Sequence, residues 1–363
     1  MVLRLVPSTP ISHDPPPPQP SPQILPVPNS VPSYWLSQPS EHANLRSTPE
    51  LPSECDVAII GSGMAGILTA YWILRNASKE NEKGRGDGGI PSVVLLEARD
   101  LCSGATARNG GHAKVKTATL AGLKSGSGEG GRNELAVFVD SVIRELAGVI
   151  GDEAGLGAEC EFELRRSFDV FQDEAELAPI KAAYDEAQKR GETWARERSY
   201  VAGEMAENVT GIKGAIGAFS VPCASFWPYK FVTGLLSRLV ARFPGNLNVQ
   251  THTAVTRLHE QSDGTGSILT TPRGTLRASK VVLATNAWTA GILPHFKDTI
   301  TPVKGMACHI RTPHPVHPHL NNTYNIHFSP AQSTGVDYLN PRPDGSIVVG
   351  GGGWHFRDDK ALW

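Results

Sequence analysis

Hydrophobic residues in the first third of the chain form two short uninterrupted runs, at positions 57–60 and 93–96. Such runs are typical of strands that are buried on both faces of a parallel sheet. Between them, the apolar stretch from Met64 to about Asn76 predicts a helix, and the polar, glycine-rich residues 76–89 predict a surface insertion. The order strand, helix, strand predicts a βαβ unit.

The rest of the chain shows helical and strand-like patterns in alternation. Apolar residues with helical spacing predict helices over Asn133 to Ile150, Glu174 to about Arg190 and Tyr229 to Ala241. Strand-like runs lie at residues 168–171, 248–258, 267–271, 276–283, 306–311 and 346–350. Mixed elements after an N-terminal βαβ unit predict an α/β nucleotide-binding domain interleaved with an α+β domain.

Composition argues against several classes of function. The chain has 363 residues, 40% hydrophobic and 19% charged, and its net charge of −2 gives no basic field for nucleic acid or an anionic membrane. Its five cysteines are odd in number and form no CxxC pair, which favours reduced thiols over disulfides or a zinc site. We therefore expect no nucleic-acid or membrane partner, and a cytoplasmic location.

Two segments suggest other interpretations, which we consider weaker. Ala58 to Leu74 carries no charge, but it is shorter than the roughly 20 residues of a membrane span and divides into strand, glycine turn and helix. Residues 309–319, HIRTPHPVHPH, contain four histidines, but no acid or cysteine completes a regular ligand set. We predict neither a membrane span nor a metal site.

A glycine motif joins the first predicted strand to the helix. DVAIIGSGMAG, residues 56–66, has the spacing G-x-G-x-x-G at Gly61, Gly63 and Gly66. The first glycine permits the tight turn, the second lets the backbone approach a pyrophosphate, and the third lets helix and strand pack closely. The pyrophosphate would lie at the helix N-terminus, where free N–H groups favour negative charge.

An acidic residue, Glu97, ends the second predicted strand, where it can accept hydrogen bonds from ribose hydroxyls. It lies 36 positions after Gly61 (97 − 61), against a usual spacing of about 20. The predicted insertion at 76–89 explains the excess, because it lies between helix and strand. The motif therefore predicts a dinucleotide, without distinguishing FAD from NAD.

The loop after Glu97 favours FAD. Residues 98–112, ARDLCSGATARNGGH, are rich in small residues that let a large cofactor lie close to the backbone. Arg108 can offset phosphate charge, and Asn109 can hydrogen-bond a ring or phosphate edge. An NAD-linked domain would continue its strand–helix alternation here, so an NAD-dependent dehydrogenase is a less favoured alternative.

The segments at 56–66 and 95–112 (LLEARDLCSGATARNGGH) resemble the D-amino-acid-oxidase-like FAD-dependent oxidoreductases. Among these, the chain is most similar to fungal members and to the γ-glutamylputrescine and glycine/sarcosine oxidase branch. The resemblance implies a glutathione-reductase-like FAD fold with a mixed-sheet substrate domain over the flavin. It also implies oxidation of a C–N bond in an amine or amino acid by hydride transfer to flavin N5, with oxygen or another acceptor reoxidising the flavin.

By position, the resemblance also implies a set of site residues. Val255 would meet the adenine through its backbone, and Thr285 to Ala287 would return to the cofactor. The predicted FAD-binding residues are Gly61, Ser62, Gly63, Met64, Ala65, Gly66, Glu97, Ala98, Arg99, Thr106, Ala107, Arg108, Asn109, Gly110, Gly111, Val255, Thr285, Asn286 and Ala287.

Two residues are candidates for catalysis, and each has an ordinary structural alternative. His112 follows the glycine loop and could face the flavin, or it could be a loop histidine bonded to backbone. The resemblance places Tyr338 on a strand over the flavin, where its hydroxyl could hold a carboxylate or amine; a half-buried strand tyrosine is equally compatible.

The expected domain organisation has five parts. Residues 1–33 form a disordered proline-rich tail, 34–130 the Rossmann part of the FAD domain, with residues 34–52 as a linker or loosely docked arm, and 131–230 a helical and substrate-domain part. Residues 231–300 return to the FAD domain, and 301–363 form a substrate-domain sheet that is C-terminally incomplete. Family members carry a further segment, so the alternative expectation is a non-catalytic or truncated flavoprotein relic.

Overall fold

The computed structural model describes residues 25–27, 30–84, 89–123, 128–311, 320–328, 335–353 and 359. The helices are α1 (Met64–Glu82), α2 (Thr117–Gly122), α3 (Gly128–Asp152), α4 (Leu156–Glu159), α5 (Glu174–Arg190), α6 (Thr193–Arg196), α7 (Glu204–Thr210) and α8 (Pro228–Arg242). Short 3-10 helices lie at Tyr34–Leu36, Ala105–Ala107, Asn286–Gly291 and Pro294–Phe296. The strands are β1 (Glu54–Ile60), β2 (Val93–Leu96), β3 (His112–Ala113), β4 (Glu163–Phe171), β5 (Ser199–Ala202), β6 (Gly217–Ser225), β7 (Leu247–Gln250), β8 (Arg257–Glu260), β9 (Ser267–Thr271), β10 (Gly274–Leu283), β11 (Met306–Ile310), β12 (Thr323–Phe328), β13 (Gly335–Pro341) and β14 (Ile347–Gly351).

The first sheet has six strands in the order β7-β2-β1-β10-β9-β8. β1 pairs in parallel with both β2 and β10, which confirms the predicted βαβ unit. All four residues of β2 are buried, as its uninterrupted apolar sequence predicts. Apolar side chains of α1, α8 and this sheet form one hydrophobic core, which fixes the N-terminus of α1 beside the end of β1.

The second sheet is mixed, with the order β11-β14-β13-β12-β4-β6-β3 and with β5 also paired to β6. β4 lies near its centre, parallel to β12 and antiparallel to β6. β3 follows the glycine-rich loop directly and pairs with the end of β6. The loop that leaves the first sheet thus continues into the second, and the predicted α/β and mixed-sheet architecture is confirmed.

Several element bounds differ from the sequence-based expectation. The single strand predicted over 248–258 is wrong, because the chain forms β7 and β8 with a loop between them. Backbone donors in that loop bond elsewhere: Thr251 N–H donates to Leu45 and Thr253 N–H donates to Glu97. β6 was not predicted, since GAFSVPCAS contains Pro222, which usually argues against an interior strand.

The segment 34–52, expected to be a linker or a loosely docked arm, is instead anchored to the fold by one buried side chain and by backbone hydrogen bonds. Trp35 is 2% exposed, and its indole N–H donates to the Asn109 carbonyl at 2.6 Å. Its own carbonyl accepts a hydrogen bond from the Trp227 indole at 2.9 Å. Farther along, Ser47 N–H donates to Val249 of β7. Burial of a large aromatic side chain therefore docks the segment across both sheets.

No helix in the part of the chain that the structure describes is long and apolar enough to cross a membrane. The uncharged residues 58–74 divide between the end of β1, the glycine turn and α1, as predicted.

Candidate cofactor and substrate site

Two of the three motif glycines are required by the fold itself. Gly61 has φ +107°, and a Cβ there would lie 2.5 Å from the Ala284 carbonyl oxygen. A Cβ on Gly66 would lie 1.9 Å from the Gly61 carbonyl oxygen. Both distances are far below van der Waals contact, so these glycines are needed for the turn and for the packing of α1 against β1.

Gly63 is different, because no part of the fold requires a glycine there. Its φ of −71° suits any residue, and a Cβ would meet only the Thr106 hydroxyl, at 3.1 Å. As the N-cap of α1, Gly63 also supplies no side-chain acceptor for the first turn. Met64 N–H donates to Thr106 Oγ1 at 2.9 Å, and the next two amides, of Ala65 and Gly66, lie in the first turn, where N–H groups have no intrahelical acceptor. Such a helix N-terminus is suited to bind the pyrophosphate of a dinucleotide.

Glu97 follows the last residue of β2 and is held in place by its neighbours. One carboxylate oxygen accepts hydrogen bonds from the Ser62 N–H at 3.1 Å and from the Ser62 hydroxyl at 2.5 Å. The other accepts from Arg99 N–H at 3.0 Å. Ser62 Oγ in turn accepts from Cys102 N–H at 2.8 Å, which ties the glycine turn to the loop after β2. A half-buried carboxylate fixed beside the glycine turn is suited to bind a ribose.

The loop after Glu97 is held in shape by Asn109. Its amide nitrogen donates to the carbonyls of Ala105 and Thr106 at 3.2 and 2.8 Å. Its amide oxygen accepts from Gly111 N–H at 2.8 Å. The Asn109 side chain therefore shapes the loop, and a direct bond from it to the cofactor stays a prediction.

Arg99 and Arg108 place two cations beside this loop. Arg99 donates to the Val27 carbonyl at 3.3 Å, and Arg108 donates to the Val31 carbonyl at 2.9 Å and the Ser30 hydroxyl at 2.7 Å. Burial, and then the charge of Arg99, lowers the pKa of Arg108. Neither guanidinium forms an ion pair with a carboxylate among the described residues. Two neighbouring arginines with neutral partners suit the phosphates of a dinucleotide.

Two further segments predicted to contact the cofactor, at Val255 and at Thr285 to Ala287, also lie near the glycine turn. Val255 is buried two residues after Thr253, whose N–H donates to the Glu97 carbonyl at 2.8 Å. Ala284 N–H donates to Ile60 at 2.8 Å, which brings the segment Thr285 to Ala287 beside Gly61. Segments far apart in sequence thus meet where the motif predicts the cofactor.

The two catalytic candidates are in contact. His112 and Tyr338 pack edge to face with ring centroids 5.3 Å apart. Gly110 permits this arrangement, since a Cβ there would lie 2.7 Å from the Tyr338 ring and 3.1 Å from His112 Nε2. Burial lowers the pKa of His112 well below its usual value, so the ring is neutral near pH 7. Its Nδ1 is buried without a hydrogen-bond partner among the described residues.

Sequence reasoning missed a cationic neighbour of this pair. Lys114 lies two positions after His112 and donates to the hydroxyls of Ser167 at 2.6 Å and Thr323 at 3.3 Å. No local sequence signal distinguishes this lysine, because its partners Ser167 and Thr323 lie on other strands.

Cys102, in the loop after Glu97, is buried, and burial raises the pKa of its thiol, which is typical of a small packed residue rather than a reactive one. Among the described residues, no cluster of histidine, cysteine and acidic side chains could hold a metal ion. Of the four histidines in 309–319, only His309 is described; His314, His317 and His319 lie outside the described residues.

Comparison with known proteins agrees with this geometry. The DAO family model, described as FAD dependent oxidoreductase, matches residues 56–362. Similar solved structures include glycine oxidase from Geobacillus kaustophilus (18% identity, TM-score 0.56, covering 82% of this chain and 71% of that one) and glycine oxidase from Bacillus cereus (20%, 0.57, 82% and 70%). L-proline dehydrogenase from P. horikoshii is also similar (18%, 0.55, 83% and 71%). No curated protein matches the chain. The chain belongs to the DAO family and is an FAD-dependent oxidoreductase.

Proposed function

We propose that the protein oxidises a C–N bond of an amine or amino acid. FAD, when bound, supplies the hydride acceptor at flavin N5, and oxygen or another acceptor takes the electrons afterwards. The observation that carries this proposal is the contact of His112 with Tyr338 on β3 and β13, directly beyond the glycine loop of the predicted cofactor site. Glycine oxidase and L-proline dehydrogenase, which share the fold, support an amino-acid substrate.

His112 and Tyr338 are suited to hold the nitrogen end of such a substrate. A neutral imidazole accepts a hydrogen bond from a substrate N–H without repelling a protonated amine. Burial raises the pKa of Tyr338, so its hydroxyl stays protonated and can donate as well as accept. Together the pair would orient the amine so that its carbon faces the flavin.

We propose that the cofactor lies along the glycine turn. The pyrophosphate would bind in front of Gly63 at the N-terminus of α1, with Arg99 and Arg108 offsetting its charge. Glu97 would bind a ribose, and the Val255 backbone would meet the adenine. The segment Thr285 to Ala287 would contact the cofactor beside Gly61.

Turnover with a defined panel tests the proposal. The purified protein should be yellow, and it should reduce a dye acceptor with some members of a panel of amino acids and simple amines. Release of ammonia or a shorter amine would confirm C–N oxidation. Peroxide formed in air would identify oxygen as the acceptor. A yellow protein that turns over no member of the panel would support the alternative of a non-catalytic flavoprotein.

We also propose a branch of the family and a cellular location for the protein. The resemblance of residues 56–66 and 95–112 supports a place in the γ-glutamylputrescine and glycine/sarcosine oxidase branch, among fungal proteins. All five cysteines are free, which supports a cytoplasmic location. Fractionation of cells that express the full chain would test the location.

A further inference from the structure

Lys114 is a half-buried cation whose hydrogen bonds to the described residues are all to neutral groups. It follows β3, and its ammonium donates to Ser167 of β4 and Thr323 of β12. Ser167 Oγ itself donates to the Thr323 carbonyl at 2.9 Å, which holds the Ser167 hydroxyl in place. An ammonium has three hydrogens, and two of them have acceptors among the described residues. Within that part of the chain, one donor is therefore left for a further partner.

The nearest carboxylate does not neutralise this cation directly. Asp169 is buried on β4, and its two oxygens accept hydrogen bonds from the Thr117 N–H and the Asn325 amide, at 2.5 and 2.7 Å. Within the described ranges, no acid lies at ion-pair distance from Lys114. Burial lowers the pKa of Lys114 to about 8, with Asp169 partly opposing the shift. The ammonium is thus mostly charged at pH 7, and a buried cation with neutral partners favours a bound anion.

Lys114 shares a sheet face with the two residues proposed to hold the substrate nitrogen. Its ammonium contacts Ser167 and Thr323, which are cross-strand partners on one face of the second sheet, and Asp169 and Asn325 lie two positions farther along the same two strands. Tyr338 is the cross-strand partner of Asn325, and Asn325 is the partner of Asp169, which places them on that face too. One small substrate could therefore contact all three side chains.

We propose that Lys114 is a specificity-determining residue that binds the carboxylate of the substrate, so that the enzyme acts on amino acids in preference to amines that lack an acid group. The inference rests on the proposed function and makes it narrower. His112 and Tyr338 take the nitrogen, and Lys114, with the hydroxyls of Ser167 and Thr323, takes the acid. The Nδ1 of His112, which is buried without a partner among the described residues, independently points to a ligand at this face of the sheet.

Binding of a charged and an uncharged probe to the holoenzyme tests whether Lys114 binds a carboxylate. Benzoate and benzamide have nearly the same shape, but only benzoate carries a charge. Each is titrated into the yellow protein, and the shift in flavin absorbance is followed. The variants are Lys114→Met, which keeps the length without the charge, and Lys114→Arg, which keeps a charge. Lys280→Met, which removes an exposed lysine from β10, is the matched control.

In the parent we expect benzoate to bind more tightly than benzamide. Lys114→Met should weaken the binding of benzoate roughly tenfold to a hundredfold, the usual range for loss of a charge-assisted hydrogen bond. The binding of benzamide should not change. Lys114→Arg should restore most of the loss, and Lys280→Met should match the parent. In turnover, Lys114→Met should raise KM for amino acids more than it lowers kcat, and it should change KM for the matching decarboxylated amines little.

Three results would overturn the inference. The first is a parent that does not prefer benzoate to benzamide, and the second is equal benzoate binding by Lys114→Met. The third is loss of flavin from Lys114→Met with the fold intact by circular dichroism, because the lysine would then serve the cofactor. A parent that binds no FAD would overturn the proposed function, and this inference with it.

Discussion

The glycine turn and the substrate face of the second sheet are built in different ways. The turn, residues 61–66, is a local structure in which three glycines within one six-residue segment have distinct roles. The substrate face brings together His112 and Lys114 from β3 and its end, Asp169 from β4, Thr323 from β12 and Tyr338 from β13. The first region depends on backbone geometry, whereas the second depends on which side chains the pairing of distant strands brings together. Substitutions in the turn should therefore separate effects on folding from effects on cofactor binding. Changes on the sheet should separate binding of the substrate's acid group from binding of the rest of the substrate.

The largest effect is expected for Gly66→Ala. The new methyl would overlap the Gly61 carbonyl oxygen, so α1 and β1 would have to move apart. We expect a loss of about 3–5 kcal/mol in the free energy of unfolding of the apoprotein, at the upper end of single substitutions. Urea unfolding followed by circular dichroism measures it. Stability within about 0.5 kcal/mol of the parent would show that the turn is not packed as described.

Gly63→Ala should separate binding from folding in the same turn. Its methyl meets only the Thr106 hydroxyl, so apoprotein stability should change little. It would occupy the space predicted for the pyrophosphate, and FAD affinity should fall by about 1–3 kcal/mol. Titration of apoprotein with FAD, followed by flavin fluorescence, measures the loss. Unchanged affinity would place the pyrophosphate elsewhere.

On the second sheet, pH should control how tightly the carboxylate of a ligand binds, because pH sets the charge of Lys114. Below its pKa of about 8 the lysine is charged, and above it the charge is lost, so benzoate affinity should fall about tenfold for each pH unit beyond 8. The groups that face it are Asp169, Cys223, Lys116 and His112; burial keeps the Cys223 thiol protonated and the His112 ring neutral in this range. Benzamide affinity should stay flat over the same range. Parallel curves for the two probes would contradict the assignment.

Glu97→Gln should have the smallest effect. An amide oxygen can still accept one hydrogen bond, but the charge-assisted strength of the bond is lost. The FAD affinity of Glu97→Gln should therefore fall by about 1 kcal/mol, which is less than the loss expected for Gly63→Ala. The bond from the Ser62 hydroxyl should persist, which keeps the turn in place. The same titration of apoprotein with FAD, followed by flavin fluorescence, measures the loss of affinity. A loss larger than that of Gly63→Ala would mean that Glu97 dominates cofactor binding.

The difference between the two regions also explains what the sequence could predict. β1, α1 and β2 were predicted because apolar runs and glycine spacing are local signals. α5 spans the range that helical spacing predicts, and the structure shows that Asp173 caps its start and that Gly191, in the left-handed region, ends it. Glu97 and the glycine loop followed from their position relative to these elements.

The substrate face could not be predicted in the same way. The pairing of β3 with β6 and of β4 with β12 joins residues more than a hundred positions apart, and no local pattern encodes it. β6 was missed because of Pro222, and Lys114 was missed because its partners, Ser167 and Thr323, lie on other strands. The docking of Trp35 was also missed, since its partners Asn109 and Trp227 are distant in sequence.

The most direct test asks whether the proposed substrates reduce the flavin. The yellow holoenzyme is mixed anaerobically with each member of the amino-acid and amine panel, in a single turnover without any acceptor. We expect the flavin absorbance to bleach with at least one amino acid, faster than with its decarboxylated amine, and to return on addition of an acceptor. A flavin that dithionite reduces but that stays oxidised with every amino acid and amine would contradict the proposed oxidation of a C–N bond.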